Sequence, residues 1–291
     1  MELGRIDPSM ATFYNIQNGL VIGSLGEHPL VQKLARFEKI GCFALTEPNV
    51  GSGTNAMETT CKWNGDWWVL NGVKKWVGNS TWADVAIVWA KDVNDGKIKA
   101  FVVKTNLSGF KVEKIKDKFG LRVCQNGIIT LNDVCVDYED ELKGLRHRDV
   151  LRKTRYLVAC EAIGIQMGAY ELALKYAKER IQFGKPIASF QLVQDLLAKM
   201  LANVTACQCM IVNLDEDMSD AQASLVKAFC TLRMRETVSW AREIFGANGM
   251  SLDYSIGRFF TDAEAVFTYE GSYQMNQLIV GKYITGLSAF V

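Results

Sequence analysis

Across residues 41–137, short runs of β-branched and aromatic side chains alternate with turn dipeptides; beyond Asp149 the apolar positions fall into stripes spaced by three and four. A period of two predicts strands and a period near 3.6 predicts helices, so a sheet region gives way to a helical one. The dipeptides Asn64-Gly65, Asn71-Gly72, Asp95-Gly96 and Asn126-Gly127 tolerate the positive φ of tight hairpins, which predicts an antiparallel β region. Strands are expected at 42–46, 57–63, 67–70, 85–90, 99–103, 109–116 and 127–136. Six of the seven tryptophans fall in or beside this region, which suits a small barrel or sandwich filled by large side chains.

Upstream, residues 10–36 read as helix broken at Gly26 and Pro29. Downstream, Val158, Ala162, Ile165, Ala169, Leu172 and Tyr176 form one stripe of a long helix ending before Pro186. Phe190, Val193, Leu197, Leu201 and Val204 mark a second helix, followed by an acidic loop at 215–217. Ser219 and Gln222 form a capping box for a third helix that runs to Phe245 and stops at Gly246-Ala247-Asn248-Gly249. Two shorter helices flank residues 267–274. Long stripes with short connections predict an antiparallel four-helix bundle. The expected fold class is α+β: a partial N-terminal helical segment at 1–38, a middle β domain at 39–138 and a C-terminal bundle at 139–291.

With 291 residues, 49% of them hydrophobic, the chain has enough apolar material for a sizeable core. Lys+Arg 33 against Asp+Glu 32 leaves no electrostatic footprint for nucleic acid or an anionic membrane surface. No apolar run reaches membrane-spanning length and the start lacks signal-peptide regions, so an intracellular protein without membrane insertion is expected. The eight cysteines contain no C-x-x-C pair and read as buried reduced thiols. His28 and His147, each in a polar loop, are too few for a histidine triad or a histidine-rich metal site, and no metal is expected. Catalysis then falls to a carboxylate or a cofactor.

The candidate carboxylate is Glu270, within Phe267-Thr268-Tyr269-Glu270-Gly271-Ser272-Tyr273-Gln274. Aromatic neighbours and a following glycine suit a desolvated base, since burial disfavours the charged form and raises its pKa. Those residues alone leave open a solvated loop glutamate. Leu45-Thr46-Glu47-Pro48-Asn49-Val50-Gly51-Ser52 offers a hydroxyl and backbone N–H groups at a strand end, as a plain turn would too. Lys74-Lys75-Trp76-Val77-Gly78-Asn79-Ser80 is either an aromatic wall beside a small residue or an ordinary strand end.

The ordered set Leu-Thr-Glu-Pro-x-x-Gly-Ser, Asn-Gly-x-Lys-x-Trp-Val, Arg-x-Gln-Phe-Gly-Lys-Pro, Phe-Gly-x-Asn-Gly and Tyr-Glu-Gly-Ser resembles the flavin-dependent acyl-CoA dehydrogenase and oxidase superfamily. Within it, the run Trp76-Val77-Gly78-Asn79-Ser80-Thr81 is most similar to the plant-type peroxisomal short-chain oxidase branch, with glutaryl-CoA dehydrogenase next. The resemblance implies FAD as cofactor and α,β-dehydrogenation of a short-chain acyl-CoA to the trans-2-enoyl-CoA. The electrons would pass to O2, giving H2O2, or alternatively to an electron-transfer flavoprotein. It assigns Glu270 as the base, and its backbone N–H as a donor to the thioester oxygen. Phe43, Leu45, Thr46, Gly51, Ser52, Trp76, Val77 and Gly78 would cradle the flavin ring. Arg180, Gln182, Phe183, Gln191, Glu243, Phe245, Gly246 and Ala247 would hold the nucleotide half of FAD from a neighbouring subunit of a dimer or tetramer, with Ser272 and Gln274 also in contact. Ser52, Arg155 and Gly271 would meet the acyl-CoA. For Arg180 a helix C-terminal arginine favoured by the dipole is the alternative. A peroxisomal or mitochondrial location follows from the resemblance alone.

There are departures. Gly53 stands where the family has Asp, Arg152 where it has Asp or Asn, and Gly78 where dehydrogenases carry Thr. Gly78 would leave the flavin less screened from dioxygen. Most of the family's N-terminal helical domain is missing, which would open the acyl pocket to water, and a truncated, non-catalytic scaffold is the other reading.

Overall fold

The computed structural model describes residues 1–215 and 217–289. Glu216 of the acidic loop and residues 290–291 lie outside the described residues. The chain forms two compact units. One comprises Phe13–Lys118 and Val123–Thr154, the other Met1–Thr12, Phe119–Arg122 and Arg155–Val291. These units cut across the boundaries expected near residues 38 and 138.

The first unit is built on strands β1 (Gly41–Ala44), β2 (Thr60–Trp63), β3 (Trp68–Val77), β4 (Val85–Asp92), β5 (Ile98–Lys104), β6 (Phe110–Lys114) and β7 (Gly127–Val136). They form a curled sheet in the order β1-β4-β2-β3-β7-β6, with β5 also paired to β4. The sheet is mixed, not purely antiparallel, because β1 and β2 both pair parallel to β4. Alternation along β4 feeds two cores. Ala86, Val88 and Ala90 join Trp68, Val77, Phe110 and Ile129 inside the curl, while Val85, Ile87 and Trp89 join Phe43, Val21, Leu25 and Leu34 on the other side. Among the tryptophans, Trp68 and Trp89 fill core space, whereas Trp67, Trp76 and Trp82 are exposed.

Asn64-Gly65 and Asp95-Gly96 sit in the β2–β3 and β4–β5 connections as predicted. Asn71-Gly72 does not turn the chain. It lies inside β3, where the register against β7 shifts between Leu70 and Gly72. Gly72 takes φ +148, which a side chain would not tolerate, so the dipeptide makes a bulge. Asn126-Gly127 opens β7 after a long loop. Two cysteines are exposed, Cys135 and Cys209, contrary to the all-buried expectation. His147 is not in a loop: it is buried, its ring lies 5.5 Å from that of Trp89, and its Nε2 meets Thr54 Oγ1 at 2.9 Å.

The helices are α1 (Glu2–Ile6), α2 (Pro8–Asn15), α3 (Gly23–Leu25), α4 (Val31–Ala35), α5 (His147–Glu179), α6 (Gln191–Val212), α7 (Asp220–Ile244), α8 (Ile256–Thr268) and α9 (Tyr273–Thr285). The expected 10–36 helix is broken into α2, a π-helical stretch Ile16–Ile22, α3 and α4. In the second unit α7 is the central rod, packed against α6, α8 and α9. Its Ser219–Gln222 capping box is formed in both directions. Glycines let α1 lie close to α5, since a Cβ at Gly164 or Gly168 would collide with the carbonyls of Met1 and Arg5. By length and composition α5 and α6 could each cross a membrane, although charges interrupt both runs. Most of the apolar window of α5 is buried in the protein, as in the core helix of a soluble fold.

Candidate functional site

Helix α8 ends where Tyr269 turns extended and Glu270 and Gly271 follow with φ +55 and +84. Two left-handed residues in succession cannot continue a helix, and Ser272 then caps α9 by accepting from Met275 N at 3.3 Å. A left-handed non-glycine residue costs about 1–3 kcal/mol and persists only where its surroundings hold it. Here they do. Lys227 Nζ of α7 donates to the carbonyls of Phe267 (3.0 Å) and Gly271 (2.7 Å), on either side of Glu270. Arg155 Nε of α5 donates to the Glu270 carbonyl at 3.4 Å, and its Nη1 is bound by Asp220 and by Ser224 Oγ. Asn276 Nδ2 donates to the carbonyls of Gly271 (2.8 Å) and Ser272 (3.0 Å). Behind the loop, the Tyr269 hydroxyl donates to the buried Glu161 carboxylate at 2.9 Å, and Thr12 Oγ1 donates to the same group.

Glu270 itself is half-buried, so within this chain it is not as dry as the sequence suggested. Lys227 is fully buried, and burial pushes its amine down to about 7, the charge on Glu270 opposing that fall and Arg155 adding to it. Arg155 is buried as well and committed to Asp220, Ser224 and the loop, which makes it a holder of the loop; its expected contact with a CoA phosphate would compete with those bonds. Sequence reasoning missed Lys227, Glu161 and Asn276. Lys227 and Glu161 carried a signal: each is a lone charge within an apolar run, Leu225-Val226-Lys227-Ala228-Phe229-Cys230 and Ala159-Cys160-Glu161-Ala162-Ile163.

In the sheet unit, the end of β1 is tied to β3 by Lys75 N donating to Thr46 O at 2.8 Å. Below it lies a buried ion pair, Lys74 Nζ to Glu47 Oε1 at 2.8 Å, with Lys74 also donating to Leu45 O at 3.1 Å. Glu47 accepts from Glu58 N (2.6 Å) and Thr59 N (2.9 Å). Burial alone would raise its carboxyl, but the bond from Lys74, with those from Thr59 and Glu58, holds it below the usual range, while burial lowers Lys74 to about 8. At the end of β3, Trp76 adopts φ +63 and exposes 53% of its surface. Thr46 is half-buried, and Gly51 and Ser52 are exposed. Phe43 and Val77 point their side chains into the cores, leaving only their backbones for a ligand. A Cβ on Gly78 would collide with Ile16 Cδ1 and come within 3.2 Å of Cys124 Sγ. The space that a threonine would take is therefore already filled, and the glycine does not by itself open a face to dioxygen.

The predicted nucleotide-binding residues lie on the surface of the helical unit. Arg180, Gln182, Gln191, Glu243, Gly246 and Ala247 are exposed, and Phe183, at φ +52 in the hairpin β8 (Ile181–Gln182) to β9 (Lys185–Pro186), is 92% exposed. Phe245 is the exception. Its ring is buried, stacked 4.1 Å from Tyr176, so only its backbone can reach a ligand. Ser272 is spent on the α9 cap and Gln274 is exposed.

Comparison with known proteins places this geometry in a family. Residues 42–134 match the acyl-CoA dehydrogenase middle domain and 146–285 match the acyl-CoA dehydrogenase C-terminal domain. A 3-(aryl)acrylate reductase of Clostridium sporogenes is 34% identical, over 86% of this chain and 70% of its own. Glutaryl-CoA dehydrogenase of Desulfococcus multivorans is also 34% identical, over 86% of this chain and 68% of its own. The structure of a Mycobacterium smegmatis glutaryl-CoA dehydrogenase in complex with FADH2 superposes with a TM-score of 0.92 at 30% identity, covering 96% of this chain and 76% of that one. These relatives are dehydrogenases and reductases, not oxidases, which turns the expected oxidase affinity towards the dehydrogenase branch. With matched domains across both units, the chain belongs to the acyl-CoA dehydrogenase family.

Proposed function

We propose that the protein is a FAD-dependent acyl-CoA dehydrogenase that exchanges electrons with an electron-transfer flavoprotein. The observation that carries this reading is the Glu270 loop: a carboxylate on a left-handed residue, bracketed by hydrogen bonds from buried cations. The partner is supported by a relative named as a caffeyl-CoA reductase-Etf complex subunit of Acetobacterium woodii, 31% identical over 96% of this chain and 79% of its own. Glutaryl-CoA dehydrogenase among the relatives supports an acyl-CoA thioester substrate.

The residues present fit a flat cofactor. An exposed indole at the end of β3, a half-buried threonine at the end of β1 and the exposed Gly51-Ser52 backbone offer a stacking face and hydrogen-bonding groups. When bound, FAD supplies the acceptor for hydride from the substrate β carbon. Glu270 would take the α proton, and the Glu270 N–H would donate to the thioester oxygen as negative charge develops there. Arg155 and Lys227 hold that N–H in place by fixing the carbonyls around it. In the proposed homo-oligomer, Arg180, Gln182 and Phe183 would meet the nucleotide of a neighbouring subunit; the 92% exposure of Phe183 supports this.

The test is anaerobic. Addition of glutaryl-CoA or a short-chain acyl-CoA should bleach the flavin absorbance, and electron-transfer flavoprotein should restore it faster than admitted oxygen. Rapid recovery with stoichiometric peroxide would favour the oxidase reading carried by the Trp76–Thr81 run. A colourless protein that refuses added FAD would leave only the scaffold reading.

A further inference from the structure

We infer that Lys227 is a positioning residue of the catalytic loop: its side chain, inserted from the middle of α7, sets the backbone of residues 267–271 and thereby the orientation and charge state of Glu270. The inference deepens the reading of Glu270 as the base and rests on it.

Three observations meet at this side chain. Lys227 is fully buried, and a lysine is placed there only against a large desolvation cost. Its Nζ makes no salt bridge among the described residues and instead donates to main-chain carbonyls, Phe267 O at 3.0 Å and Gly271 O at 2.7 Å. Those carbonyls bracket a non-glycine residue held at φ +55. An ammonium accepted by carbonyls at both ends of a five-residue segment fixes the separation of its ends, which a helix-terminal cap on one side would not do.

The charged groups facing Lys227 are Glu270 from the loop and Arg155 from α5, the latter paired with Asp220 at the start of α7. Glu270 favours the ammonium and Arg155 disfavours it. By reciprocity, the ammonium favours the ionised form of Glu270. Removing the cation should therefore raise the pKa of the base as well as loosen the loop.

The experiment uses the whole chain as the holoprotein with Lys227→Met, which keeps most of the hydrocarbon and removes the donors, and Lys227→Arg as the conservative partner. For Lys227→Met we expect kcat to fall roughly 10- to 100-fold with KM changed far less. The acidic limb of the kcat/KM profile should move up by about one pH unit. Amide hydrogen exchange should quicken at residues 269–275 while α7 stays protected. Lys227→Arg should restore the pH limb in part. An unmoved pH limb together with unchanged exchange in the loop overturns the inference, as does exchange that quickens evenly over the whole unit. If neither variant folds, the wild-type protein decides: titration of Glu270 followed by 13C-carboxyl NMR should show a second inflection from the lysine near neutral pH, and its absence refutes the coupling. Should the parent protein not oxidise acyl-CoA at all, the proposed reaction fails, while the exchange and NMR readouts still judge Lys227.

Discussion

Replacing Glu47 by Gln should unfold the sheet unit far more readily than a single-atom change suggests. The substitution leaves the Lys74 ammonium fully buried without its counter-charge and weakens the bonds accepted from Glu58 N and Thr59 N. Breaking one side of a buried pair typically costs about 3–5 kcal/mol, because the remaining charge stays desolvated. Lys74→Met should cost a similar amount, since it also removes the 3.1 Å bond to Leu45 O. The double variant Glu47→Gln/Lys74→Met removes both charges and should lose much less than the sum, giving a coupling of at least about 2 kcal/mol. Urea unfolding followed by tryptophan fluorescence reports mainly on this unit, since six of the seven tryptophans lie in it. The signs with pH differ for the two partners. Lys74, lowered from 10.5 to about 8, is less protonated in the folded chain, so stability should rise with pH between those values. Glu47, held below 4.5, contributes stability that is present above that value and lost as pH falls through its folded pKa. Single-variant costs below about 1 kcal/mol, or strict additivity in the double variant, would refute the reasoning.

Other outcomes follow from the same geometry. Glu270→Gln should keep the fold and bound flavin but slow substrate-dependent bleaching about 10²- to 10⁴-fold in stopped flow, the usual contribution of a general base. Tyr269→Phe removes a 2.9 Å donor from the buried Glu161 carboxylate and should lower the stability of the helical unit by about 1–3 kcal/mol, read by circular dichroism of thermal unfolding. Gly78→Ala should cost about 1–3 kcal/mol by overpacking against Ile16 Cδ1, and adding Ile16→Val, which lacks that atom, should recover most of it in the same denaturant assay.

Much of the fold is legible along the chain because its signals are local. The hairpins at Asn64-Gly65 and Asp95-Gly96, the Ser219–Gln222 box and the Gly271 stop beside Glu270 each depend on a few neighbouring residues, whose φ preferences and short-range hydrogen bonds act before any packing. Periodicity likewise separates strands from helices without reference to partners. The parallel pairing of β1 and β2 with β4 is different, since it brings together segments far apart in sequence that no turn residue marks. So is the bulge at Gly72, which reads locally as a hairpin and becomes a kink only when β7 supplies a continuous partner. The same holds for which side of Phe43, Val77 and Phe245 is covered, and for the burial of Lys227, whose partner Gly271 lies 44 residues away. A charge is solvated or buried according to what packs over it, and that is a property of the folded chain, not of its own stretch of sequence.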